Sequence, residues 1–158
     1  MSENFVAPNQ ENDRTDIDIF KELTILVIDD LEDNLVLMSF ILESYGIQVV
    51  TASNAKDGLE AVKQSPVDIL ISDINMPFKD GYWLIQEIRS LPLPQKRDIP
   101  AIAVTGDVEF QVRSKALAAG FQAYMEKPLA PEQLIAEVAK LLKSRKEKLT
   151  TVYSQFKH

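Results

Sequence analysis

Five short apolar runs, each rich in β-branched residues, constrain this chain more than any other feature. They fall at 24–28, 47–50, 67–71, 100–104 and 121–125. A strand covered on both faces reads as a continuous apolar run rather than an alternating one, which is how parallel strands are written. Between the runs lie amphipathic stretches at about 33–45, 55–64, 81–90 and 109–119, with a last one from 131. Gly46, Gly58, Gly81 and Gly120 punctuate the turns. Strand and helix in strict alternation predict an α/β fold, a doubly wound parallel sheet of five strands with five helices on both faces. A length of 158 residues suits one such domain. The proline-bearing segment 91–98 reads as a surface connection before the fourth strand.

In an open parallel sheet, ligands bind outside the carboxyl ends of the strands. Four of those ends carry chemistry here. Asp29 and Asp30 close the first run, Asp73 closes the third, Thr105 closes the fourth, and Lys127 follows the fifth. Paired acids after a strand also cap helices, and that reading alone would account for Asp29 and Asp30. It does not account for Asp73, Thr105 and Lys127 at the same rim. Clustered carboxylates repel unless a cation joins them, and an all-oxygen set suits Mg²⁺, with Mn²⁺ as the variant. A carboxylate beside such an ion can attack phosphorus and form an acyl phosphate. Charge then develops on the peripheral oxygens, for which Lys127 supplies an ammonium and Thr105 a hydroxyl.

Composition removes competing chemistries. There is no cysteine, and the single histidine is His158, the last residue. Thiol chemistry, cysteine zinc sites, histidine metal clusters and Ser-His-Asp triads are thereby excluded. No run approaches the roughly 20 apolar residues of a membrane span, and no signal segment opens the chain. No membrane is expected, and a cytoplasmic location is. The net charge is −7, and an acidic body argues against nucleic-acid binding.

The whole set resembles the receiver domain of a two-component response regulator, similar to the single-domain chemotaxis regulators, across about residues 23–143. The resemblance rests on Asp29-Asp30, on Asp73-Ile74-Asn75-Met76-Pro77 with Asp80-Gly81, on Thr105 before Gly106, and on Lys127-Pro128. It implies the flavodoxin-like strand order 2-1-3-4-5. It implies that Asp73 takes a phosphoryl group from the phosphohistidine of a histidine kinase or a histidine phosphotransfer protein. Asp30 and Asp73 would bind Mg²⁺, Asp29 would help directly or through water, and Asn75 would offer its backbone carbonyl. Lys127 would pair with Asp73 or the phosphoryl group, and Thr105 would bond a phosphoryl oxygen. Tyr124 falls at the family's aromatic switch position, although an aromatic there also packs against the last helix. The Lys127-Pro128 bond would be cis. Asp107 reads either as a water-positioning acid or as a solvated loop residue.

The two ends differ in charge. Residues 1–22 carry six acids and two bases and are expected to be a disordered extension, unless Ile17, Ile19 and Phe20 dock on the body. Residues 143–158 carry five bases and one acid. Within them Leu149, Val152, Tyr153 and Phe156 keep helical spacing, so 144–158 reads as a basic extension of the last helix or as a frayed tail. As a helix it would suit a partner or a second copy in a homodimer. With no effector after Leu142, output is expected through a changed surface near the fourth helix, fifth strand and fifth helix, read by an output protein the sequence does not name. Three other readings stand beside this one: an aspartyl-phosphate phosphatase of the haloacid-dehalogenase type, a phosphorelay intermediate and a degenerate receiver scaffold. The phosphatase wants an acid where Asn75 stands. No separate substrate turnover is expected, so the chain is not read as an enzyme.

Overall fold

The computed structural model describes residues 19–107 and 109–156. The expected disorder of residues 1–18 and the side chains of Leu149, Val152, Tyr153 and Phe156 lie outside what is described, as does His158. Five parallel strands form one sheet: β1 (Thr24–Ile28), β2 (Gln48–Ala52), β3 (Ile69–Asp73), β4 (Ala101–Thr105) and β5 (Ala123–Glu126). Their order is β2-β1-β3-β4-β5. The helices between them are α1 (Glu32–Glu43), α2 (Ala55–Gln64), α3 (Gly81–Ile88), α4 (Val112–Ala119) and α5 (Pro131–Phe156). One further helical turn, Pro94–Arg97, sits in the segment read from sequence as a plain connection. Proline at a first helical position loses no hydrogen bond and arrives with its φ preset, so Pro94 starts this turn.

Alternation along the strands divides the core in two. Leu26, Ile28, Leu70, Ala101 and Ala103 face one layer with Leu84, Ile85 and Ile88 of α3. Ile25, Val27, Ile69, Ile71, Ile102 and Val104 face the other with Leu35 and Leu42 of α1 and Leu134 and Val138 of α5. Every residue of β3 and β4 is buried. Both faces being covered explains why the runs look unbroken in sequence.

Several boundaries differ from the periodicity. Helix α4 starts at Val112 rather than 109, because Asp107 Oδ1 accepts from Glu109 N at 2.9 Å and Gln111 takes a left-handed φ of 80°. An Asx-type turn followed by a left-handed residue cannot continue a helix backwards. Strand β5 begins at Ala123, leaving Phe121 in the core but outside the ladder. At the other end, Phe20 is 1% exposed and meets Tyr45 edge-on with ring centroids 6.0 Å apart. The packed body therefore takes in Phe20, ahead of the expected start at residue 23. Helix α5 runs 26 residues, with Arg145 Nη1 3.5 Å from Asp68 Oδ1. Among the described residues no helix is long and apolar enough to cross a membrane.

Candidate functional site

Register brings the chemistry together. Ile28 lies opposite Ser72 in the β1–β3 ladder, so Asp29 leaves β1 at the level where β3 ends on Asp73. Asp73 pairs with Val104, which puts Thr105 one residue further along the next strand. Lys127 N donates to Thr105 O at 2.9 Å, seating the lysine immediately after β5 on the same rim. Carboxylate oxygens of Asp29, Asp30 and Asp73 all lie within 4.8 Å of one another.

The two adjacent acids have different surroundings. Asp29 is buried and its carboxylate is held from three directions. Oδ1 accepts from Leu31 N at 2.9 Å, and Oδ2 accepts from Asn34 Nδ2 at 3.1 Å and Lys127 Nζ at 2.9 Å. Asp30 is half-buried and lines a cleft together with Lys56, Phe78 and Lys79.

Asp73 is buried, with Oδ2 3.5 Å from Lys127 Nζ. Burial pushes its carboxyl above the usual value of 3.8; Lys127 opposes the rise and Asp29 adds to it. Ser72 Oγ donates to the Asp73 carbonyl at 2.8 Å, so the backbone at the end of β3 is fixed as well as the side chain. Helix α3 is brought close against the same backbone. Asp80 Oδ1 caps it by accepting from Trp83 N at 2.9 Å, and Gly81 N donates to Ile74 O at 2.8 Å. A Cβ on Gly81 would sit 2.6 Å from the Asp73 carbonyl oxygen, so only glycine fits here without displacement.

Thr105 is fully buried, and its Oγ1 accepts from Asp107 N at 3.1 Å. Tyr124 is half-buried, and its hydroxyl donates to the Asp107 carbonyl at 3.4 Å. The Asp107 backbone thus links the Thr105 hydroxyl to the Tyr124 phenol. Asn75, two residues past Asp73, has an exposed side chain. The Lys127-Pro128 bond is cis. Asn34 and Ser72 escaped the sequence reading. An asparagine in a helix first turn has many ordinary uses, and a serine inside a strand gives no sign of which carbonyl its hydroxyl will meet.

A magnesium-class cation fits these residues. The donors are all oxygen, and three carboxylates against one ammonium leave two negative charges, which one divalent cation neutralises.

The family model for the response regulator receiver domain matches residues 25–139. The chain is 40% identical over 114 residues to a 14.6 kDa protein of the sodA1 3′ region in Leptolyngbya boryana, covering 72% of this chain and 86% of that one. It is 34% identical over 113 residues to the sensor histidine kinase RcsC of Salmonella typhi, covering 72% of this chain but 12% of the kinase. Among solved structures, it resembles a CheY-like receiver domain protein from Methanospirillum hungatei JF-1, with a TM-score of 0.73 and 27% identity over 80% of this chain and 98% of that one. It also resembles the signal receiver domain of a histidine kinase from Syntrophus aciditrophicus, with a TM-score of 0.70 and 27% identity over 77% of this chain and 90% of that one.

Proposed function

This chain belongs to the response regulator receiver domain family, whose members accept a phosphoryl group on aspartate in two-component signalling, and from that membership we propose that Asp73 is the acceptor. The observation that carries the assignment is Asp73 itself, a buried carboxylate at the end of the central strand, 3.5 Å from Lys127 Nζ and beside two further acids. In the proposed step an Asp73 carboxylate oxygen forms a bond to phosphorus. The bond from phosphorus to the donor nitrogen breaks, and its electron pair stays on the imidazole. Lys127 neutralises charge gathering on the phosphoryl oxygens, and the Thr105 hydroxyl donates to one of them. Asp30 and Asp73, with the Asn75 backbone carbonyl, are the residues that would hold Mg²⁺ or Mn²⁺. When bound, the cation supplies charge neutralisation where acids and phosphoryl oxygens crowd together.

A protein donor, a histidine kinase or a histidine phosphotransfer protein, is favoured by the surface beside the site. Leu37 and Phe40 of α1 are exposed, and Leu37 borders an apolar groove with Met38, Pro128 and Leu129 that reaches Asp29 and Lys127. Output would follow the link through Asp107. Thr105 moving toward a phosphoryl oxygen draws on the turn whose carbonyl holds Tyr124, altering the surface of α4, β5 and α5, where Phe110 is also exposed. The chain would act as a cytoplasmic signalling module with no separate substrate turnover, and a second copy of it is one candidate for the output partner.

The test is intact mass after incubation with acetyl phosphate, with and without Mg²⁺, for the wild type and Asp73→Asn. A Mg²⁺-dependent gain of one phosphoryl group that the variant lacks is expected. A gain that survives in Asp73→Asn would move the acceptor elsewhere.

A further inference from the structure

We infer that Asn34 is a positioning residue: its amide occupies Asp29 so that this carboxylate lends Lys127 to the acceptor instead of competing for the divalent cation. The inference rests on the reading of Asp73 as acceptor. It starts from how full the Asp29 carboxylate is. A carboxylate offers about four lone-pair sites. Three are taken by Leu31 N, Asn34 Nδ2 and Lys127 Nζ, and Oδ2 alone takes two of them. Oδ2 therefore cannot bind a cation without releasing the amide or the lysine. Facing a carboxylate, the Asn34 amide has one favourable orientation, NH₂ inward, because its carbonyl there would repel.

Two donors on one oxygen share its charge. The amide weakens the grip of Oδ2 on anything else, Lys127 included. Lys127 now lies 2.9 Å from Asp29 and 3.5 Å from Asp73, so it leans toward the acid that does not take the phosphoryl group. Transfer requires it to lean the other way. Without the amide, Asp29 holds the lysine harder and also presents a freer oxygen to a cation. Lys127, drawn from Asp73, competes less with a cation there as well.

These effects have opposite signs in two measurements. In Asn34→Ala and Asn34→Leu, Mg²⁺ binding measured by calorimetry should tighten about two- to tenfold, the range of one modest hydrogen bond. Labelling by acetyl phosphate at saturating Mg²⁺ should slow by a similar factor. Asn34→Leu keeps much of the side-chain volume and helix propensity while adding no charge beside Asp29, which Asn34 contacts at 3.1 Å. Asn34→Gln, with an amide on a longer arm, should recover part of both values. Binding and labelling that weaken together would mean Asn34 only props the site up, and values equal to wild type would mean it does nothing there. Either result overturns the inference. A wild type that takes up no phosphoryl group overturns the acceptor reading instead, and the calorimetric comparison still decides whether Asn34 restrains Asp29.

Discussion

Gly81→Ala is the substitution whose cost follows most directly from the packing around its site. The added methyl would lie 2.6 Å from the Asp73 carbonyl oxygen and 2.9 Å from Ile74 Cα, where ordinary contact begins at 3.4 Å. Both neighbours are backbone, so no side chain can rotate out of the way. The start of α3 and the end of β3 must separate by about 0.8 Å, straining the Gly81 N to Ile74 O bond of 2.8 Å. Overpacking of this kind costs about 1–3 kcal/mol. Alanine's better helix propensity returns at most about 1 kcal/mol, and less at a first helical position. A net loss of about 1–2 kcal/mol corresponds to roughly 3–6 °C in Tm for a domain of this size.

The same displacement acts on the backbone that carries Asp73, the proposed acceptor. A misplacement approaching 1 Å can slow a positioned reaction by about 10²-fold, so labelling by acetyl phosphate should fall about 10- to 100-fold. Gly106→Ala is the control, since a Cβ there meets nothing within 4 Å, and its stability should stay within about 0.5 kcal/mol of wild type. Urea melts and a labelling time course on both variants decide the matter. A Gly81→Ala protein as stable as Gly106→Ala and labelled at the wild-type rate would refute the claim that α3 is pressed against the Asp73 backbone.

Burial holds the Asp73 carboxyl above 3.8 in the folded chain, so the folded state keeps its proton more tightly than the unfolded state. Stability is then lost as pH rises from 3.8 through the raised folded value. Asp73→Asn, in chelator, should be more stable than wild type at neutral pH, with the difference closing below 3.8; urea midpoints equal at neutral pH would contradict this. Lys127→Ala leaves Asp29 and Asp73 facing each other without a cation, a loss of about 1–3 kcal/mol in chelator that added Mg²⁺ should largely restore. Melts equally depressed with and without Mg²⁺ would show that the lysine is not balancing those carboxylates. Phe20→Ala should cost about 3 kcal/mol, because its ring is 1% exposed and set edge-on against Tyr45; a loss under about 1 kcal/mol would detach Phe20 from the body.

What was legible in the residues, and what was not, divides by physical scale. Runs such as Ile69–Asp73 and Ala101–Thr105 announce buried strands because every side chain on them must be apolar or paired. Once the strands are parallel, Asp29, Asp73, Thr105 and Lys127 have to meet at one rim. Boundaries set by single turns were harder. The start of α4 depends on a side-chain bond from Asp107 and a left-handed Gln111, neither of which disturbs the apolar period. Phe20, a lone aromatic in a polar stretch, makes no period at all, and the reach of Arg89 to the Gly120 carbonyl spans 31 residues.

The least legible feature is the division of labour between Asp29 and Asp30. As letters they are interchangeable, and either could have been the lysine's partner. Successive residues leaving a strand point to opposite sides, so one of the pair must turn into the sheet end and the other toward the opening. The buried Asp29 meets Leu31 N, Asn34 and Lys127, while Asp30 stays half-exposed where a solvated cation can approach. Exchanging their roles would require a one-residue slip of β1, which would turn Ile25 and Val27 from one core to the other. The hydrophobic pattern of β1 therefore decides which aspartate faces the lysine.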